Sequence, residues 1–204
     1  MTAACSLIRM VDRAHELLSE VLAPGDVAVD LTAGNGIDTL FLAEQVGPTG
    51  RVVAFDIQEQ ALQHTMALLE DAALVCSLLE PSPEPVALPD SGVILIRDSH
   101  CQLQRYLQGP LQAIIANLGY LPGGNEHLVT RAETTLAALR QGLELLKQGG
   151  RLVVVVYVGH AGADRECCQV ETLMQSLSPR QWQVLRIQVV NRELAPYLLV
   201  AERR

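Results

Sequence analysis

The apolar residues of this chain follow two patterns that alternate along its length. Short apolar runs, of the kind that buried parallel strands need, alternate with stretches in which apolar residues recur every three or four positions, as in amphipathic helices. The runs predict strands over residues 27–31, 51–55, 93–96, 111–116, 152–157, 182–190 and 196–201. The helical spacing predicts helices over residues 6–22, 37–46, 59–69, 103–107, 133–146 and 164–177.

This alternation indicates an α/β fold with a parallel sheet covered on both faces. Only residues 191–193 separate the last two strands, so we expect an antiparallel hairpin at one edge of the sheet. The prediction is a mostly parallel, seven-stranded sheet with an antiparallel C-terminal hairpin. We expect residues 1–204 to form a single domain, because a chain of 204 residues with 49% hydrophobic content can bury one sizeable core. Four prolines between residues 80 and 90 predict a surface loop.

Polar residues follow five of the predicted strands at the point where each strand ends. In an open sheet of this type, the ligand lies outside the carboxyl ends of the strands. The five groups comprise residues 30–36, 56–58, 98–100, 117–120 and 157–160. Because all five ends carry functional residue types, a non-catalytic binding module is the least favoured interpretation.

The first of these ends leads through a Gly-Asn-Gly turn, residues 34–36, into a helix. Such a turn places backbone N–H groups and a helix N-terminus at one point, where a nucleoside or its charged tail can bind. A dinucleotide site needs a third glycine where Thr39 stands, and Asp30 and Asp38 would place negative charge near a pyrophosphate. The residues favour S-adenosylmethionine, which carries an ammonium and a sulfonium. A nicotinamide-dependent oxidoreductase is the rival from another class.

The other strand ends supply candidates for ribose binding and for chemistry. Asp56 follows the second strand, 20 residues after the last glycine of the turn. A carboxylate there can accept both hydroxyls of an adenosine ribose, although in isolation it is as well explained as a helix N-cap. Asn117 and Tyr120 follow the fourth strand, and an amide beside an aromatic face can hold a planar base or an amine. Tyr157 and His160 follow the fifth strand and are candidates for a base or an orienting group.

Composition limits the partners. The formal net charge of −8 disfavours nonspecific nucleic-acid binding through a basic surface. Four arginines remain candidates for phosphate contacts: Arg97, Arg105, Arg131 and Arg140. The five cysteines lack CxxC or CxH spacing, which is typical of reduced thiols in a cytoplasmic protein, and we expect no metal site. No stretch approaches the roughly 20 apolar residues that cross a bilayer, and the first ten residues do not form a secretory signal, so we expect no membrane partner.

Several of these segments together resemble the rRNA methylase family. They are DLTAGNGIDT (residues 30–39) with FLA (41–43), AFDIQ (54–58), SH (99–100), NLGYLPGG (117–124) and YVGH (157–160). The resemblance runs from the first helix to the last strand. It implies a Rossmann-like class I methyltransferase fold with S-adenosylmethionine as cofactor. It also implies methyl transfer to the amino group of 5-aminomethyl-(2-thio)uridine at the tRNA wobble position, the reaction of the family's characterised members.

Carried over position by position, the resemblance implies two groups of site residues. The cofactor contacts would come from Asp30, Thr32, Gly34, Asn35, Gly36, Asp38, Thr39, Asp56, Gln58, Ser99 and His100. The catalytic candidates are Asn117, Tyr120, Tyr157 and His160, with the first two facing the substrate amine, as the Asn/Asp-Pro-Pro-Tyr turn does in other amino-group methyltransferases. The chain departs from the family's usual form at residues 161–163 and 195–196 and in the longer proline-rich stretch, residues 80–90. These differences leave the cofactor assignment intact and bear on the substrate.

Two alternatives keep the methyl transfer and change the acceptor, which would be an rRNA or a small-molecule amine. The expected partner is tRNA, and a homodimer is one expected state for so small a tRNA enzyme.

Overall fold

A computed structural model describes residues 9–82, 87–119, 123, 129–158 and 163–204. The sequence-predicted site residues Tyr120 and His160 lie outside these ranges, as does the middle of the predicted proline-rich loop, residues 83–86. In the described part of the chain, no helix is long and apolar enough to cross a membrane.

Eight strands and six α-helices are described. The strands are β1 (Val27–Asp30), β2 (Arg51–Phe55), β3 (Cys76–Leu79), β4 (Gly92–Ile96), β5 (Leu111–Leu118), β6 (Leu146–Val156), β7 (Trp182–Gln188) and β8 (Tyr197–Arg203). The helices are α1 (Met10–Ser19), α2 (Ile37–Val46), α3 (Glu59–Asp71), α4 (Leu103–Tyr106), α5 (Ala132–Leu145) and α6 (Ala163–Gln175). A 3₁₀ turn, His100–Gln102, leads into α4.

All eight strands belong to one sheet, in the order β3-β4-β2-β1-β5-β6-β8-β7. The first six strands in this order pair in parallel, whereas β8 runs antiparallel to both β6 and β7. The predicted fold class, a mostly parallel α/β sheet with an antiparallel C-terminal hairpin, is therefore confirmed. The carboxyl ends of β1, β2, β4, β5 and β6 meet at one edge, as the strand-end argument requires.

The sheet has eight strands rather than the predicted seven. The strand that the sequence pattern did not reveal is β3, which has four residues and lies at the outer edge of the sheet, beside β4. Each of its residues is half-buried, so it shows neither a long apolar run nor a polar alternation. A second difference concerns β6, which begins at Leu146, beside Leu111, where a helix end was predicted; an irregularity follows before regular pairing resumes at Arg151.

The core lies on both faces of the sheet. The helices α1, α2 and α3 cover one face, and α4, α5 and α6 cover the other. In β6, Val153 and Val155 point to the first face, whereas Val154 and Val156 point to the second, and all four are fully buried. Burial on both faces explains why this strand is a continuous run of valines.

The glycine turn requires its last glycine for two reasons. Gly36 precedes α2 with φ +84°, a left-handed conformation that L side chains rarely adopt. A Cβ atom at this position would lie 2.8 Å from the Cα of Thr65 on α3, so backbone approaches backbone here. The start of α2 and the middle of α3 are thereby held together at the ligand edge of the sheet.

We expect Gly36→Ala to destabilise the protein more than Gly149→Ala does. Gly149 also has a positive φ, +75°, but no atom lies within 4 Å of a Cβ built there. Gly149→Ala therefore incurs only the conformational cost of about 1–2 kcal/mol, whereas Gly36→Ala adds a steric cost of about 1–3 kcal/mol. Urea denaturation of the two variants measures the difference. Equal losses of unfolding free energy in the two variants would contradict the close approach of Gly36 to Thr65.

Candidate functional site

Asp30, the last residue of β1, is fully buried and accepts two hydrogen bonds. The hydroxyl of Thr39 donates to Oδ2 at 2.7 Å, and the backbone N–H of Thr32 donates to Oδ1 at 2.9 Å. Burial, and next the neighbouring carboxylate of Asp38, raise the pKa of Asp30 to about 7, although both hydrogen bonds act to lower it. The Asp30 carboxyl group thus fixes both ends of the connection between β1 and α2, through Thr32 and Thr39.

Asp56, at the end of β2, connects that strand to the glycine turn. Its Oδ2 accepts the backbone N–H of Gly34 at 3.0 Å, and its Oδ1 accepts the backbone N–H of Gln58 at 2.9 Å. Burial raises the pKa of Asp56, against the lowering effect of these hydrogen bonds. The N-cap position of α3 is Gln58, so Asp56 is not the cap residue. Each of its carboxylate oxygens can accept a further hydrogen bond.

Asp38, in the first turn of α2, links three elements. Its Oδ1 lies 2.5 Å from Nε2 of His15 on α1, and its Oδ2 accepts a hydrogen bond from Nδ2 of Asn117 on β5. The His15 ring stacks on Phe41, with centroids 3.9 Å apart and planes 3° from parallel. Since an ionised carboxylate only accepts, the Asn117 amide presents its nitrogen to Asp38 and keeps its oxygen, Oδ1, for another donor.

A second bond ties the predicted cofactor residues to the predicted acceptor residue. The backbone N–H of Asn117 donates to the Thr32 hydroxyl at 2.8 Å. Thr32 is itself bonded through its own N–H to Asp30. The structure therefore brings the ends of β1 and β5, and their site residues, into direct contact.

His100, in the 3₁₀ turn after β4, carries a buried acceptor for which the described residues supply no partner. Its Nδ1 lies 3.0 Å from the carbonyl oxygen of Leu31, which can only accept, so Nδ1 carries the hydrogen and Nε2 the lone pair. Nε2 is buried, and no described residue bonds to it. Burial lowers the pKa of His100, which keeps the ring neutral at neutral pH. The predicted neighbour Ser99 caps the same turn, with its hydroxyl accepting the N–H of Cys101.

Tyr157, after β6, is 36% exposed. Burial raises the pKa of its phenol, the Asp38 carboxylate raises it further, and Arg9 opposes both effects. The phenol therefore stays protonated at neutral pH, so it can donate a hydrogen bond and is a poor candidate for a base.

Two site residues were missed by the sequence reasoning, namely His15 and Glu166. Glu166, on α6, is 2% exposed and accepts hydrogen bonds from the hydroxyls of Thr130, at 2.7 Å, and Thr135, at 2.6 Å. Thr130 also accepts the backbone N–H of Gly119 at 3.0 Å and donates its own N–H to the Gly119 carbonyl at 2.9 Å. Thr130 thus joins the two ends of the segment that follows Asn117, and Glu166 fixes Thr130 to α6.

A common signal marks both missed residues. His15 follows Val11 by four positions, and Glu166 precedes Val170 by four, so each lies on the apolar stripe of its helix. A polar residue on such a stripe must find a partner inside the protein. The sequence indicates that a partner exists but does not identify it.

The charges at this edge are mostly negative. Among the described residues, Asp30, Asp38, Asp56 and Glu166 form no ion pair with a lysine or an arginine. Such a site is electrostatically matched to a cationic ligand. Of the arginines predicted for phosphate contacts, Arg97 is already paired with Glu59 at 2.8 Å and Glu80 at 2.7 Å. In the part of the chain that is described, Arg105, Arg131 and Arg140 form no ion pair.

Comparison with known proteins gives consistent matches. A family model described as "Putative rRNA methylase" matches residues 52–203, and a model of protein-L-isoaspartate(D-aspartate) O-methyltransferase matches residues 1–77. The chloroplastic tRNA (mnm(5)s(2)U34)-methyltransferase of Arabidopsis thaliana is 35% identical over 198 residues, which cover 94% of this chain and 68% of that protein.

Two solved structures extend the likeness to the whole fold. A Clostridium thermocellum protein described as an rRNA methylase superposes with a TM-score of 0.86 and 34% identity. The match covers 98% of this chain and 100% of that protein. A Streptococcus mutans protein in complex with SAH superposes with a TM-score of 0.82 and 34% identity, covering 97% of this chain and 99% of the other. The sequence-based family resemblance is thereby confirmed, and the chain belongs to the rRNA methylase family of methyltransferases.

Proposed function

We propose that this protein transfers a methyl group from S-adenosylmethionine to the amino group of 5-aminomethyl-(2-thio)uridine at the wobble position of tRNA. The observation that carries the proposal is the orientation of Asn117, whose Nδ2 donates to Asp38 and whose Oδ1 accepts no hydrogen bond from another described residue, so that it can accept an N–H. The Arabidopsis relative supports the choice of acceptor, since its name specifies the modified wobble uridine of tRNA.

The described residues fit the cofactor. The buried lone pair of His100 Nε2 requires a donor, and both oxygens of Asp56 retain acceptor capacity for the ribose hydroxyls. The carboxylates of Asp30, Asp38 and Asp56, which form no ion pair with a described lysine or arginine, would offset the positive charge of an ammonium and a sulfonium. The residues that would hold the cofactor are those predicted from the sequence, namely Asp30, Thr32, Gly34, Asn35, Gly36, Asp38, Thr39, Asp56, Gln58, Ser99 and His100. The SAH complex of the Streptococcus mutans protein supports this assignment.

When bound, the cofactor supplies a methyl group activated on a sulfonium. The protein's own contribution is to hold the acceptor. A neutral amine that donates an N–H to Asn117 Oδ1 would keep its lone pair free for methyl transfer, so that binding would fix the orientation of the acceptor. An ammonium has no lone pair, so the site must take up the neutral form, which partial desolvation favours. The protonated phenol of Tyr157 acts as an orienting donor, and the uridine leaves its stack to reach this edge of the sheet.

Asn117→Ala should lower kcat by about 100-fold, the effect of losing an interaction worth roughly 3 kcal/mol in the transition state. Cofactor affinity should change less than about 3-fold, because the side chain serves the acceptor. The assay uses tRNA from a strain that lacks the gene, with mass spectrometry of the wobble nucleoside. Parallel reactions with rRNA and with small amines test the alternatives. Methylation of either of these, without methylation of tRNA, would refute the proposed acceptor.

Asp56→Ala should weaken S-adenosylmethionine binding by about 10- to 100-fold, the effect of removing a charged acceptor worth roughly 1.5–3 kcal/mol. Isothermal titration calorimetry measures the change. Asp71→Ala, on the exposed end of α3, is the matched control and should bind like the wild type. Wild-type affinity in Asp56→Ala would rule out the ribose assignment.

Stability should fall as the pH rises from about 4 to about 7, in part because of Asp30. Its pKa is about 7 in the folded protein and near 3.8 when exposed, so between these values the folded state holds a proton that the unfolded state has lost. The stabilisation is complete below the lower pKa and is lost as the pH passes the upper one. Asp30→Asn stays neutral, so its melting temperature relative to the wild type should rise with pH, whereas that of Asp71→Asn should not. A difference independent of pH would show that Asp30 is ionised throughout this range.

A further inference from the structure

The helix α1 reaches the site through one side chain. It ends before β1 begins and contributes none of the strand ends at which ligands bind, yet it packs beside β6, β8 and α2. Its His15 side chain is 18% exposed and places Nε2 2.5 Å from Oδ1 of Asp38, whose side chain is 9% exposed. A helix outside the strand-end pattern therefore contacts the carboxylate that orients the acceptor amide.

The two partners of Asp38 occupy different oxygens. Oδ1 takes the His15 Nε2–H, and Oδ2 takes Nδ2 of Asn117. With both oxygens fixed, the carboxylate plane is fixed, and so is the direction in which it receives the amide. Without the bond to Oδ1, a carboxylate this deeply buried would have to turn toward another donor and would move the Asn117 side chain with it.

The imidazole is held in place independently of Asp38. Its ring lies flat on Phe41, one turn along α2 from Asp38, so stacking sets the ring plane and the hydrogen bond uses an edge already aimed at the carboxylate. Other described charged or titratable groups near this cluster are Arg9 before α1, Asp12 on α1, Asp30 on β1, and Tyr157 after β6.

We propose that His15 is a positioning residue for methyl transfer: through Asp38 it fixes the Asn117 amide with its oxygen directed at the acceptor amine. This inference rests on the proposed function, since it names the residue behind the proposed acceptor contact. His15 acts through Asp38 and has no direct role toward the substrate or the reacting atoms.

The geometry allows matched variants that separate the hydrogen bond from the ring. His15→Phe keeps an aromatic ring over Phe41 and removes the donor. His15→Gln removes the ring and keeps an N–H donor at the same number of bonds from Cβ as Nε2. Phe41→Leu disturbs the stack and leaves the imidazole intact. If His15 acts by donating to Asp38, His15→Phe should lower kcat on tRNA about 10-fold or more. His15→Gln should keep kcat within about 3-fold of the wild type. Phe41→Leu should lower the melting temperature and should lower kcat less than His15→Phe does.

A readout without turnover tests the same inference. The side-chain amide of Asn117 gives a pair of resonances in a ¹H–¹⁵N spectrum, assigned by their loss in Asn117→Ala. His15→Phe should shift these resonances, and His15→Gln should leave them close to the wild-type positions. If the wild type does not methylate tRNA, the proposed function fails and the spectrum still decides on His15. Unmoved resonances in His15→Phe, or equal loss of kcat in His15→Phe and His15→Gln, would overturn the inference.

Discussion

One buried carboxyl group, that of Asp30, sets the geometry on which the site depends. Asp30 is the last residue of the central strand β1. One of its oxygens accepts the backbone N–H of Thr32, before the glycine turn, and the other accepts the hydroxyl of Thr39, after it. The hydroxyl of Thr32 in turn accepts the backbone N–H of Asn117 on the neighbouring strand β5. A carboxyl group in full burial is costly unless every oxygen is bonded, so this arrangement tolerates little movement of the turn. The positions of the residues at the end of β1 are therefore closely defined.

The same cost recurs across the ligand edge. Asp38, Asp56 and Glu166 are satisfied by neutral donors or by an imidazole rather than by lysine or arginine in the described part of the chain. Neutral donors fix the direction of a carboxylate but leave its charge uncompensated. A protein that only needed stability would gain by pairing or removing these groups. Their retention is consistent with a ligand that brings its own positive charge.

The sequence predicted the parts of the fold whose signal is local. The helix over residues 37–46 and the strand over residues 51–55 have their predicted bounds, because a turn chemistry and an uninterrupted apolar run mark them. The strand β3 was missed because an edge strand of four half-buried residues carries neither signal. The start of β6 at Leu146 was missed because pairing with Leu111, a distant residue, overrides the glycine-rich pattern around it.

The proposed cofactor side and the proposed acceptor side of the site also differ in how local their sequence signals are. The predicted cofactor residues between Asp30 and Thr39 are close in sequence, so their motif is recognisable without a structure. The acceptor side depends on contacts that span the chain, from His15 to Asp38 and from Thr130 to Glu166. Glu166 holds Thr130 and Thr135 at once, so the ends of the segment after Asn117 are fixed to α5 and α6 together. Methyl transfer needs both reactants fixed relative to each other, and only the tertiary fold can join a local cofactor motif to the proposed acceptor contact at Asn117.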